Sequence, residues 1–168
     1  MNKFEKKISH LLNKLAIKNK SIFYFFRVFT YTGEWWMYIL YAIITILIDF
    51  NKGVDAIKMA LIAYGFHYPI YFLIKNTTKR NRPFEENKSI KALVKPPDKY
   101  SLPSGHAAGT CISALIIMSV FGKMNFLIFW PIIVSLSRVF LGVHYISDSL
   151  IGLILGYVCY YAAHLILL

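Results

Sequence analysis

SRVFLGVHYISDSLIGLILGYVCYYAAHLILL, residues 137–168, decides the architecture. From Ile146 onward the stretch is apolar and long enough to cross the hydrocarbon layer, which takes roughly 20 residues of helix. Its opening part carries Ser137, Arg138, His144 and Asp148, so a polar group sits where this span begins. Further apolar runs lie at 34–48, 54–74, 104–121 and 126–140, the first opening on Trp35 and Trp36 as a head-group boundary would. The expected fold class is all-α: an integral membrane helical bundle of five transmembrane helices, or six if 21–33 counts as a span. Residues 34–168 form one membrane-embedded core, and 1–33 form an amphipathic, interfacial N-terminal segment.

Composition supports this reading. Hydrophobic residues make up 57% of the chain and the mean hydropathy is +0.52, too oily for a soluble protein. The net charge of +11 is concentrated in 1–20 and 75–99. Anionic partners follow, and lipid head groups fit better than nucleic acid, because no soluble binding module remains once the spans are removed. Cys111 and Cys159 sit inside apolar runs and act as small hydrophobes.

In residues 1–20, Ile8, Leu11, Leu12 and Leu15 recur at helical spacing among lysines, the pattern of a helix lying on the membrane surface. No cleavable signal peptide is expected there. SIFYFFRVFTYTG at 21–33 is too short to span and reads as interfacial or re-entrant. His67, deep in the second span, is expected to hydrogen-bond to a neighbouring helix.

Two more polar stretches matter, KNTTKRNRP at 75–83 and PSGH at 103–106. No span separates these two, and two crossings separate PSGH from SRVFLGVHYISD, so all three reach the same membrane face. Lys75, Arg82 and Arg138 then gather with the start of the third span, without an obvious matching set of carboxylates. Arginine grips phosphate through paired hydrogen bonds and lysine adds a point charge. Ser104 is a helix cap or hydroxyl donor, Gly105 lets its N–H approach a ligand, and the helix dipole favours an oxyanion there. Were the chain helical from His144, Asp148 would lie one turn along and orient the imidazole. Two histidines near one phosphate allow His144 to attack phosphorus while protonated His106 serves the leaving oxygen. No cofactor is called for. Zinc on two His and one Asp is the alternative, opposed by the adjacent cations. Gly105 with Gly109, and Gly152 with Gly156, are spaced for close helix packing.

Together KNTTKRNRP, PSGH and SRVFLGVHYISD resemble the three signature motifs of the type 2 phosphatidic acid phosphatase family of membrane lipid phosphatases. The resemblance implies a metal-independent lipid phosphatase working through a phosphohistidine. His144 would be the nucleophile, His106 the general acid and Asp148 the orienting carboxylate, with Lys75, Arg82, Ser104, Gly105 and Arg138 binding phosphate. Candidate substrates are undecaprenyl diphosphate, phosphatidylglycerol phosphate, phosphatidic acid and phosphorylated lipid A. A non-catalytic lipid-binding or transport protein is the competing class. The related vanadium haloperoxidases are soluble, unlike this chain. The family's site faces away from the cytoplasm in the cell membrane. The positive-inside rule applied to the lysine-rich stretches points the other way. Site cations inflate that count, so the extracytoplasmic face is expected.

Overall fold

The structure, a computed structural model, describes residues 3–122 and 124–167. Met1, Asn2, Lys123 and Leu168, which the sequence reading assigns to the surface segment, a short break and the last span, lie outside the described residues. The described residues are all-helical: α1 (Lys3–Lys18), α2 (Lys20–Tyr31), α3 (Trp35–Ile48), α4 (Phe50–Thr78), α5 (Pro83–Glu86), α6 (Gly105–Phe121), α7 (Phe129–Phe140) and α8 (Ile146–Leu167), with a 3₁₀ turn at Asn125–Ile128.

Local chemistry sets the boundaries. Asn19 caps α2 by accepting from the amides of Ser21 and Ile22, Asp49 caps α4 at Lys52, and Ser104 caps α6 at Ala107. Among the described residues, two stretches are long and apolar enough to cross a membrane, Phe50–Glu86 and Ile146–Leu167. A third arises if α2 and α3, bent by 64° at their break, count as one span. The shorter apolar pieces Gly105–Phe121 and Asn125–Phe140 coincide with the expected third and fourth runs.

The core sits where α4, α6 and α8 meet: Met59 and Ala63 against Ile112 and Ile116, with Leu155 and Cys159 closing the third side. Small residues let α8 lie directly on α6. A Cβ on Gly152 would stand 2.5 Å from the Ser104 carbonyl oxygen, and one on Gly156 would stand 2.5 Å from that of Ala108. The expected close packing therefore holds for Gly152 and Gly156. Gly105 and Gly109 instead face the rings of Tyr71 and Tyr38, so their role is to admit aromatic side chains.

Helix α1 is docked by a polar stripe. Ser9, Asn13 and Ala16 are buried, while of the apolar face anticipated from sequence Leu11 and Leu15 are exposed and Ile8 and Leu12 half-buried. Asn13 donates to the carbonyls of Lys91 and Phe140 and accepts from the Lys91 amide, fastening α1 to the polar loop and to the end of α7.

Gly156→Val should force α6 and α8 apart and cost about 1–3 kcal/mol, read as a lowered unfolding midpoint in detergent. Gly65→Ala, where an added Cβ meets nothing within 4 Å, should show no loss.

Candidate active site

The three polar stretches meet at one end of the bundle, stitched by backbone hydrogen bonds. The Ser101 amide donates to the Arg80 carbonyl (2.9 Å), that of Ser104 to Asp148 (3.0 Å), and that of Leu93 to Leu141 (3.0 Å). A cavity of about 140 Å³ opens there, lined among others by Glu34, His67, Asp98, Gly105, His106 and His144.

His144 lies in the turn before α8, so the helical condition under which Asp148 would follow it one turn along is not met. Asp148 nevertheless reaches it, because one carboxylate oxygen accepts from the Tyr145 amide at 2.7 Å, which curls the chain back. Its Oδ2 stands 3.6 Å from His144 Nδ1. On the other ring edge, Arg82 Nη1 is 3.4 Å from His144 Nε2. A guanidinium has only donors, so Nε2 presents its lone pair and the ring proton belongs on Nδ1, toward Asp148. Burial first, and then the charges of Arg138, Arg82 and Lys75, hold the His144 imidazole well below its usual 6.5, so the ring is neutral.

His106, in the first turn of α6, has its Nε2 3.3 Å from Glu34 Oε1. Glu34 comes from the break between α2 and α3.

Lys75, Arg82 and Arg138 are buried, each at most 3% exposed. The expectation that they lack matching carboxylates fails for two of them. Asp98 Oδ1 accepts from Lys75 Nζ at 2.6 Å and from Arg82 Nη2 at 2.8 Å, while Tyr71 donates to Oδ2 at 2.6 Å. Lys75 also donates to the Tyr100 carbonyl. Burial alone would raise the Asp98 carboxyl, but the bonds from Lys75 and Tyr71 outweigh it and hold it low. For Arg138 the expectation stands. Its Nη1 donates to Thr30 Oγ1 at 2.6 Å, and its Nε and Nη2 have no hydrogen-bond partner among the described residues. Desolvating a guanidinium is costly, so an unshared buried one beside two histidines calls for an anion.

Ser104 uses its hydroxyl as the α6 cap, at 3.4 Å from the Ala107 amide, and Gly105 lies against Tyr71. His67 departs from expectation: among the described residues it has no hydrogen bond to a neighbouring helix and its Nδ1 is unpartnered, and its ring sits among Tyr64, Tyr68 and Tyr71. Among the described residues no three His, Cys, Asp or Glu side chains gather as metal ligands.

Glu34, Asp98 and Arg80 are the site residues that sequence reasoning missed. A signal existed: the chain has only eight acids, and Glu34 and Asp98 are each isolated among basic, aromatic or apolar neighbours. An acid so placed needs a cation.

A sequence model described as the PAP2 superfamily matches residues 53–168. Decaprenylphosphoryl-5-phosphoribose phosphatase of Mycobacterium tuberculosis is 37% identical over 89 residues, 53% of this chain and 49% of that protein. The chain thus spans about half the length of the curated relatives it matches. Among solved structures, Aquifex aeolicus LpxE superposes with a TM-score of 0.78 at 19% identity, covering 94% of this chain and 92% of that one. A transmembrane PAP2-type phosphatidylglycerolphosphate phosphatase from Bacillus subtilis superposes at 0.73 with 21% identity, covering 97% and 86%. These two likenesses establish the fold.

Inorganic phosphate should raise the unfolding temperature of the purified protein. Arg138→Leu should abolish that shift relative to its own baseline, and Asp98→Asn, which frees Lys75 and Arg82, should enlarge it.

Proposed function

Since the chain belongs to the PAP2 superfamily, we propose that it is a multi-pass membrane phosphatase that removes phosphate from a lipid through a phosphohistidine on His144. The observation that carries this reading is the buried Arg138 guanidinium, two of whose nitrogens have no hydrogen-bond partner among the described residues, acting on a neutral His144 that lines the cavity.

In the first step the His144 Nε2 lone pair forms the N–P bond as the P–O bond to the lipid breaks. The leaving oxygen takes the proton that His106 carries into the complex, with Glu34 orienting that ring. Charge on the equatorial oxygens is met by Arg138, Arg82 and Lys75, the electrostatic work that phosphoryl transfer chiefly demands. Asp98 leaves the two cations it holds as phosphate arrives. Positive charge forming on His144 is stabilised through Nδ1 by Asp148. Water then attacks phosphorus, giving its proton to the now neutral His106, and the N–P bond breaks to release inorganic phosphate. No step uses a metal or cofactor.

Supporting a lipid as substrate, an apolar groove of about 620 Å³ runs between α3 and α4 and shares Trp35, Tyr38, Tyr64 and Tyr68 with the site cavity. A tail lying there places its phosphate at the histidines. Both a decaprenyl-linked sugar phosphate and phosphatidylglycerol phosphate, the lipids in the relatives' names, have that form, as do undecaprenyl diphosphate and phosphatidic acid. The bundle has five crossings, six with the α2–α3 pair counted separately, and the site faces away from the cytoplasm of the cell membrane.

The deciding experiment is phosphate release from a panel of these lipids in detergent. Turnover of at least one is expected, and release from none would leave a lipid-binding protein. His144→Ala should abolish turnover, and His106→Ala should lower it by about 100-fold or more. Because burial and neighbouring cations hold His144 below 6.5, its neutral form persists into acid, and the acidic limb of kcat/KM should fall below pH 6.5. Chelators should leave the rate unchanged. Lys91→Cys should react with an impermeant thiol reagent applied from outside intact cells.

A further inference from the structure

Asp148 has a second cation besides the site's own. Arg80 Nη1 donates to Asp148 Oδ1 at 2.7 Å and to Ser147 Oγ at 2.6 Å, and its guanidinium stacks 4.5 Å above the Tyr145 ring. Its other end, Nη2, donates to Glu5 Oε2 at 2.9 Å. The second Glu5 oxygen accepts from the Ser147 amide at 2.9 Å and from the Ser147 hydroxyl. Ser147 is in the first turn of α8, so Glu5 supplies from another helix the cap that a side chain just before α8 would ordinarily supply.

We propose that α1 is part of the catalytic scaffold: Glu5 is a positioning residue that caps α8 in trans and divides the charge of Arg80, keeping Asp148 aimed at His144. The proposal rests on the phosphatase reading above. Asp148 is wholly buried and must serve two cations, Arg80 and, during the reaction, the His144 imidazolium. Its Oδ2 stands 3.6 Å from His144 Nδ1 and must close that gap for a full hydrogen bond. An Arg80 without Glu5 would have one carboxylate left and would draw Asp148 into a closer pair with itself, away from the imidazole. Loss of Glu5 would also leave the Ser147 amide without its acceptor, loosening the turn that carries Asp148. Glu5 thus takes up half of Arg80's demand. Neither Glu5 nor Arg80 lines the site cavity, so their effect reaches the chemistry only through Asp148.

The test compares Glu5→Gln with Lys6→Ala in the full-length chain. Glutamine keeps an oxygen for the Ser147 amide but opposes an N–H to the Arg80 donor. Lys6, on α1 like Glu5, pairs with Glu86 of α5 at 2.7 Å and does not touch Arg80, so its loss controls for weakened docking of α1. With whichever lipid phosphate the wild type hydrolyses, Glu5→Gln should lower kcat by about ten-fold while KM stays within about two-fold. Glu5→Asp, with Glu5→Ala as reference, should recover part of the loss. Lys6→Ala should keep the wild-type kcat. Equal kcat for Glu5→Gln and wild type, or equal losses in Glu5→Gln and Lys6→Ala, would overturn the proposal. An inactive wild type would refute the phosphatase reading instead.

Discussion

Arg82 ties the polar end of the bundle together. One fully buried guanidinium donates to the Asp98 carboxylate, to the carbonyls of Asp98 and Lys99, and to the Val143 carbonyl at 2.7 Å, while resting against His144. Three segments far apart in sequence are thereby fixed by a group that cannot shed its charge and cannot be buried unsatisfied. His144 inherits its position from this arrangement, since the carbonyl just before it is one of the acceptors. The site is preorganised because the cation that serves an anion also holds the backbone in place.

Much of this was readable from residue order alone. Apolar runs bounded by Asp49, Ser104 and Asp148 became helices near their expected positions, because burial period and caps are local properties of the chain. Counting crossings put Lys75, Arg82, His106, Arg138 and His144 on one face, which allows them to meet without any knowledge of packing. Ion-pair partners were not readable. Asp98 is 23 residues from Lys75, and Glu5 is 75 residues from Arg80, and nothing in the intervening sequence says which cation an acid will meet. The supposed absence of carboxylates was a count of the motifs, and the acids that answer them stand outside those motifs.

The segment at 21–33 shows the same limit. Its aromatic content fits an interfacial or re-entrant piece, yet its place follows from contacts with α7: Phe26 stacks on Phe140, and Thr30 accepts from Arg138. The break that follows brings Glu34 to His106, so an interruption that looks like a flaw in a span is what delivers a carboxylate to the site. Neighbouring helices, not local propensity, set this geometry.

That same interruption has a consequence for the chain's unusual aromatic share. Broken helix turns expose carbonyls that hydrocarbon cannot solvate. Here the Tyr41 hydroxyl donates to the Thr32 carbonyl and the Tyr38 hydroxyl to that of Gly33, both at 2.9 Å, while the Trp130 indole donates to the Thr32 hydroxyl at 2.7 Å. These rings act as a dry substitute for water. Replacing either tyrosine by phenylalanine would here leave a peptide oxygen without the donor that now satisfies it.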